Sequence, residues 1–185
     1  MKRRRYLVDD SEYPIFVTTT IVQWIPVFSV RELAEKSLKK LEEIRQELNA
    51  IVYGFVLLPG HLHIIIQSRI KGNLSVFMKR WKGNTAKHIL AYCRENNNNW
   101  LRRFAENARS YNMSRKQNHQ VWQPRFDEKA IRDEDEFIAK LNYMHGNPLK
   151  HDLVDDCGDY PYSSYADYNG GKNGFVTVNC GHNKL

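Results

Sequence analysis

At 185 residues and 21.8 kDa the chain has the size of one ordinary globular domain, and 42% hydrophobic residues with 12% aromatics exclude wholesale disorder. A net charge of +7, with a pI near 9.3, favours a polyanionic partner. No apolar run is long enough for a membrane span, and three scattered cysteines (Cys93, Cys157, Cys180) form neither a disulfide framework nor a zinc knuckle.

The basic opening Lys2-Arg3-Arg4-Arg5 runs into Asp9, Asp10, Ser11 and Glu12, where a secretory leader would need apolar residues. A cytoplasmic protein with no membrane association and no disulfide-linked partner is expected. The β-branched run Ile15–Val22 reads as a strand, and Ser29 with Glu32 has capping-box spacing ahead of an amphipathic helix over about 30–48. Ile51–Leu58 and His61–Gln67 flank Pro59-Gly60, a β-hairpin signal. A second helix is expected from Asn73 to Leu90, with Leu74, Phe77, Met78 and Trp81 on one side and Lys79, Lys82 and Lys87 on the other. Beyond it, 91–118 reads as partial helix and loop.

Val121–Phe126 reads as an edge strand, where Pro124 is tolerated. Asp133, Glu134, Asp135 and Glu136 open an acidic helix that should stop by Gly146, before Pro148. A last strand is expected at Phe175–Val178. This order gives one α+β domain over 1–185, with a basic arm (1–12), a variable basic segment (about 91–118) and a C-terminal tail (169–185).

The charge is localised. From Arg69 to Lys116, twelve Lys or Arg face only Glu95 and Glu106, a net of +10. Lys79, Arg80, Lys82, Lys87, Arg102 and Arg103 are therefore candidates to face a polyanion; were that polyanion DNA, they would track its phosphates. In that case Trp81, Trp100 or Tyr111 could stack bases, although the apolar neighbours of Trp81 favour core packing.

Two clusters could carry chemistry. In a strand, His61 and His63 point the same way while Leu62 faces the core, so both imidazoles could ligate one divalent cation. An isolated His-x-His is more often two surface or half-buried histidines. Tyr143 and Asn147 lie four residues apart, on one side of a helix end. An Asn oxygen can be a hard metal ligand, and a phenol is a nucleophile only with metal or electrostatic help. Packing or capping is the commoner use of such a pair. The other histidines, His88, His119, His145, His151 and His182, default to structural or surface roles.

Taken together, these segments resemble the single-tyrosine HUH transposases with an IS200-like domain, in particular the REP-associated tyrosine transposases. The resemblance rests on Leu58-Pro-Gly-His-Leu-His-Ile-Ile-Ile66, Trp122-Gln-Pro-Arg-Phe126 and Leu141-Asn-Tyr-Met-His-Gly-Asn-Pro-Leu-Lys150, followed by Leu153-Val and Asp159-Tyr-Pro-Tyr-Ser-Ser164. It implies a ferredoxin-like (RRM-like) antiparallel sheet of four to five strands with packed helices. It further implies Mg²⁺ or Mn²⁺ on His61, His63 and Asn147, and Tyr143 as a nucleophile that forms a 5′-phosphotyrosine on single-stranded DNA near hairpins. A monomer is favoured over a homodimer. The competing possibility is a catalytically silent or domesticated nucleic-acid-binding module on the same fold.

Overall fold

Six β-favouring residues, Ile15–Thr20, form β1, and this strand lies inside the sheet rather than at its edge. The computed structural model describes residues 12–110 and 118–181; the Lys2–Arg5 arm, Tyr111 and His182 lie outside them. Strands β2 (Ile51–Leu58) and β3 (His61–Gln67) form the expected hairpin, and β4 (Asp127–Ala130) completes an antiparallel sheet of order β2-β3-β1-β4. The fold is α+β with the strand order of a ferredoxin-like sheet.

Helices α1 (Arg31–Glu47) and α2 (Asn73–Asn96) cover one face. There Ile15, Val17, Leu62, Ile64 and Ile66 meet Leu38, Leu41, Phe77 and Trp81 in the larger core cluster. The Trp81 ring is fully buried, and its Nε1 donates to the Ser37 carbonyl at 2.9 Å. The opposite face carries Phe16, Tyr53, Val56, Leu58 and Ile65, packed against Phe137, Leu141 and Met144 of α4 (Glu134–His145). Helix α3 (Asn98–Ser110) extends the first layer, burying Phe104.

Four boundaries differ from the sequence expectation. Val30, with no side-chain cap, precedes α1, because Ser29 is taken into a 3-10 turn. Helix α2 runs on to Asn96, and the basic segment after it is largely the helix α3. The edge strand falls at Asp127–Ala130; only Trp122 of the preceding run bridges to Ile21, and Arg125 turns the chain with φ 67°. Finally, no strand forms at Phe175–Val178, where Val176 is buried as core filler and the chain reaches the sheet through the Asn179 N–H, 2.8 Å from the Val52 carbonyl.

Two local devices seat α4. Asp133 accepts the Glu136 backbone N–H at 2.8 Å, an N-cap reinforced by the acidic first turn. A register shift between Val52 and Gly54 leaves Tyr53 as an extra residue and brings Gly54 under the helix. A Cβ at Gly54 would come within 2.8 Å of Met144 Cε and 2.9 Å of Leu141 Cδ1. Gly54 is thus what lets α4 lie this close to the sheet.

Candidate active site

Strand alternation sends Leu62 into the α1–α2 core and leaves His61 and His63 together on the α4 face. Their ring centroids are 4.8 Å apart. Both are buried, at 6% and 4% exposure, between β1 and β2, where Thr20 and Leu58 face His61 and Thr18 and Val56 face His63. Burial, helped by the nearby His151, holds His61 down to about 4. Burial, then the charges of His61, His151 and Lys140, holds His63 down to about 3. Both imidazoles are therefore neutral at physiological pH, the state in which a ring nitrogen can ligate a cation.

The surroundings suit ligation. Thr18 Oγ1 lies 2.8 Å from His63 Nδ1. In the tautomer that donates Nδ1–H to Thr18, Nε2 presents its lone pair, the usual arrangement behind a metal-bound histidine. The Phe16 ring stacks on His63 at 5.4 Å and fixes the imidazole plane. Among the described residues, no three His, Cys, Asp or Glu side chains gather into a metal-holding group. A protein donor that joined the histidine pair on a cation would be of another kind. Asn147, 2% exposed, fits that description chemically. Its Nδ2 donates to the Tyr143 carbonyl at 2.7 Å, which leaves the amide oxygen for a hard cation.

Tyr143 is brought to the pair by α4. Its ring is 5.6 Å from that of His63 and 6.2 Å from that of Phe16, in edge contacts, and the side chain is 47% exposed. Two ammonium groups lie near the ring, Lys140 Nζ at 5.7 Å and Lys150 Nζ at 5.9 Å from its centroid. A half-exposed phenol beside neutral imidazoles and two cations is suited to receive a phosphate group. His145, on the same helix, points elsewhere: its Nε2 sits 2.8 Å from the buried Ser164 Oγ, and burial holds it down to about 4.

Thr18, Lys140, Lys150, His151 and Trp24 were not singled out by sequence reasoning. His151 faces His61 with ring centroids 5.9 Å apart. A signal for it existed, since Tyr143, Asn147 and His151 are spaced by four. Pro148, taken as a stop, instead occupies the first turn of a further short helix, α5 (Asn147–Lys150), and Gly146 keeps right-handed helical angles between the two. The helical spacing therefore persists past the proline. Trp24 meets His61 edge-on at 5.0 Å. It follows Gln23 in a pair of left-handed residues, φ 54° and 53°, which for non-glycine residues costs about 1–3 kcal/mol each.

The six basic residues proposed as a phosphate track do not converge on this site. Lys79, Arg80, Lys82 and Lys87 belong to α2, which packs on the other face of the sheet. Arg80 pairs with Glu47. Lys82 donates to the carbonyls of Gln123 and Arg125, at 2.9 and 2.5 Å, and burial holds it down to about 8. Lys79 and Lys87 are exposed, and Arg102 pairs with Glu106 at 3.8 Å. Arg103 donates from Nε to Oε1 of Gln23, the residue before Trp24, at 2.8 Å. Of the stacking candidates, Trp81 is core and Trp100 is partly buried against it.

A four-stranded antiparallel α+β domain that sets a paired His-x-His strand against a tyrosine-bearing helix defines the class of HUH-type folds. The family model described as transposase IS200-like matches residues 24–145, about two thirds of the chain, and the protein belongs to that family. A Haemophilus influenzae protein named for the REP-associated tyrosine transposases is 31% identical over 110 residues, 59% of this chain and 55% of that one. The REP-associated tyrosine transposase of Escherichia coli K12 is 40% identical over 45 residues, 24% of this chain and 27% of its own. The chain thus spans about half or less of the length of these relatives. A solved structure of a REP-associated tyrosine transposase bound to a REP hairpin shares the fold, with a TM-score of 0.62 at 19% identity over 98% of this chain and 93% of that one. Among the described residues, no helix is long and apolar enough to cross a membrane.

Proposed function

We propose that this protein nicks and rejoins single-stranded DNA next to hairpins, with Tyr143 as the nucleophile. The observation that carries this is a half-exposed tyrosine ring centred 5.6 Å from the His63 ring, with the Lys140 and Lys150 ammonium groups both within 6 Å of it. Tyr143 Oη gives up its proton as it attacks the scissile phosphorus, the bond to the 3′ oxygen breaks, and that oxygen takes up a proton to leave as a 3′-OH. The 5′ phosphate stays on the tyrosine, so a 3′-OH can later attack the same phosphorus and release the phenol without an external energy source.

His61, His63 and Asn147 would hold Mg²⁺ or Mn²⁺. When bound, the cation polarises the phosphate and offsets charge in the transition state. Thr18 and Phe16 keep the His63 ring in one orientation, and the two lysines near the Tyr143 ring would attract the phosphate's negative charge. The hairpin carried by the solved relative motivates the choice of substrate.

The test is covalent capture. Wild type is incubated with Mg²⁺ or Mn²⁺ and a labelled hairpin oligonucleotide with unpaired flanks, then run on a denaturing gel. A shifted protein–DNA band is expected, lost in Tyr143→Phe and reduced at least 100-fold in His61→Ala. Tight binding with no adduct on any hairpin or metal would instead identify a silent binding module.

A further inference from the structure

Trp24 stands 59% exposed at the mouth of the histidine pair, the most exposed aromatic ring among the buried and exposed large hydrophobics described. Lone exposed aromatics are common, and exposure alone argues nothing. Three observations separate Trp24 from that background.

First, the ring is held by a pinned turn. The Ile21 N–H donates to the Gly60 carbonyl at 2.8 Å, the Trp24 N–H to the Ile21 carbonyl at 3.1 Å, and the Phe28 N–H to the Pro59 carbonyl at 3.0 Å. The Trp24 carbonyl lies only 3.1 Å from where a Cβ on Gly60 would stand, so the turn rides directly on the β2–β3 hairpin. Second, the backbone adopts two successive left-handed residues with no glycine to ease them, and this strain is spent on a ring left in water rather than buried. Third, the exposed ring touches the edge of His61 at 5.0 Å, and its neighbour Gln23 is bound by Arg103, which places a cation beside it.

We propose that Trp24 is a stacking platform for the unpaired base of a nucleotide flanking the scissile phosphate, with Arg103 alongside the backbone of the same strand. The platform rests on the nicking function proposed above. Its physical logic is positional: a base seated on Trp24, fixed against His61, sets the strand's register so that one particular phosphate meets His63 and Tyr143. A flat ring stacks on any base, so the platform positions the strand more than it reads its sequence.

The experiment uses a hairpin oligonucleotide that gives the wild-type adduct, with the cleaved bond mapped and a single abasic site moved through the unpaired flanks. Binding is measured in the Tyr143→Phe protein. An abasic site at one position beside the cleaved bond should weaken binding about tenfold. In Tyr143→Phe/Trp24→Ala the intact strand should bind about tenfold more weakly, with that abasic penalty gone, and Tyr143→Phe/Trp24→Phe should restore most of both. Wild-type backgrounds should show the cleavage position blurring over adjacent bonds with Trp24→Ala. An abasic penalty and cleavage position unchanged by Trp24→Ala, in a protein whose circular dichroism matches wild type, overturns the platform while leaving the enzyme intact. Failure of wild type to bind or capture any hairpin removes the nicking function and the platform together.

Discussion

The two faces of the sheet share the same strands and differ in what they ask of them. On the α1–α2 side, Leu62, Ile64 and Ile66 of β3 disappear into a continuous aliphatic and aromatic core with Phe77, Met78 and Trp81. On the α4 side the intervening residues are His61, His63 and Ile65; Ile65 joins a smaller apolar cluster, which gives way to Thr18, Thr20 and the imidazoles. A neutral imidazole can be buried at modest cost when its nitrogen has a partner, and Thr18 supplies one to His63. One strand thus serves as ballast on one side and presents a pair of neutral imidazoles on the other. The larger core keeps the site face rigid without contributing a reacting group to it.

That division can be broken from either side. Trp81→Ala on the ballast side should produce the largest effect, destabilising the fold by about 3–5 kcal/mol in denaturant titration. Adduct formation per folded molecule, measured well below the melting temperature, should stay within twofold of wild type. Gly54→Val on the site side should act the other way. Its side chain would meet Met144 and Leu141, lift α4 and move Tyr143 from His63. Adduct rate should fall about 100-fold while the loss of stability stays near 1–3 kcal/mol.

Thr18→Val removes the partner of His63 Nδ1 without changing the strand, and should weaken Mn²⁺ binding, followed by calorimetry, about tenfold. Unchanged Mn²⁺ affinity would mean that the two faces differ less than the geometry implies. The smallest effect concerns pH. His145 is held down to about 4 when folded, and an unfolded histidine takes up its proton near 6.5. Between these values the unfolded chain binds more protons, so stability rises with pH and is lost on acidification from 6.5 towards 4. His145→Gln, which can still bond to Ser164, should flatten part of that slope in melting temperatures measured across the window.

Much of this frame was legible in the sequence, for identifiable reasons. The hairpin announces itself through Pro59-Gly60 between β-branched runs, and the tyrosine helix through Asp133 and its acidic first turn. The edge strand was hidden because Asp127-Glu-Lys-Ala130 is polar and half exposed, so it carries no hydrophobic period, whereas the apolar run before it turns at Arg125. Pairing with β1 makes it a strand, and that is a tertiary fact. At the site, His61 and His63 follow from strand alternation. Trp24 and His151 do not, because one depends on left-handed backbone at residues that rarely adopt it and the other on a helix resuming through a proline. The charge excess over Arg69–Lys116 is a property of the sequence, and it does not say which side of the sheet its helix covers.

The position of β1 also bears on when the protein becomes competent. It is the first strand in the sequence, yet one of its two neighbours is β4, with Ile15 opposite Ala130, a pairing across 115 residues. Closing so long a loop is slow compared with forming the β2–β3 hairpin. Helix α4 follows β4 directly, so Tyr143 can meet the histidines only once the chain through α4 has been made. During synthesis the histidine pair can therefore be in place well before Tyr143 and Asn147 join it.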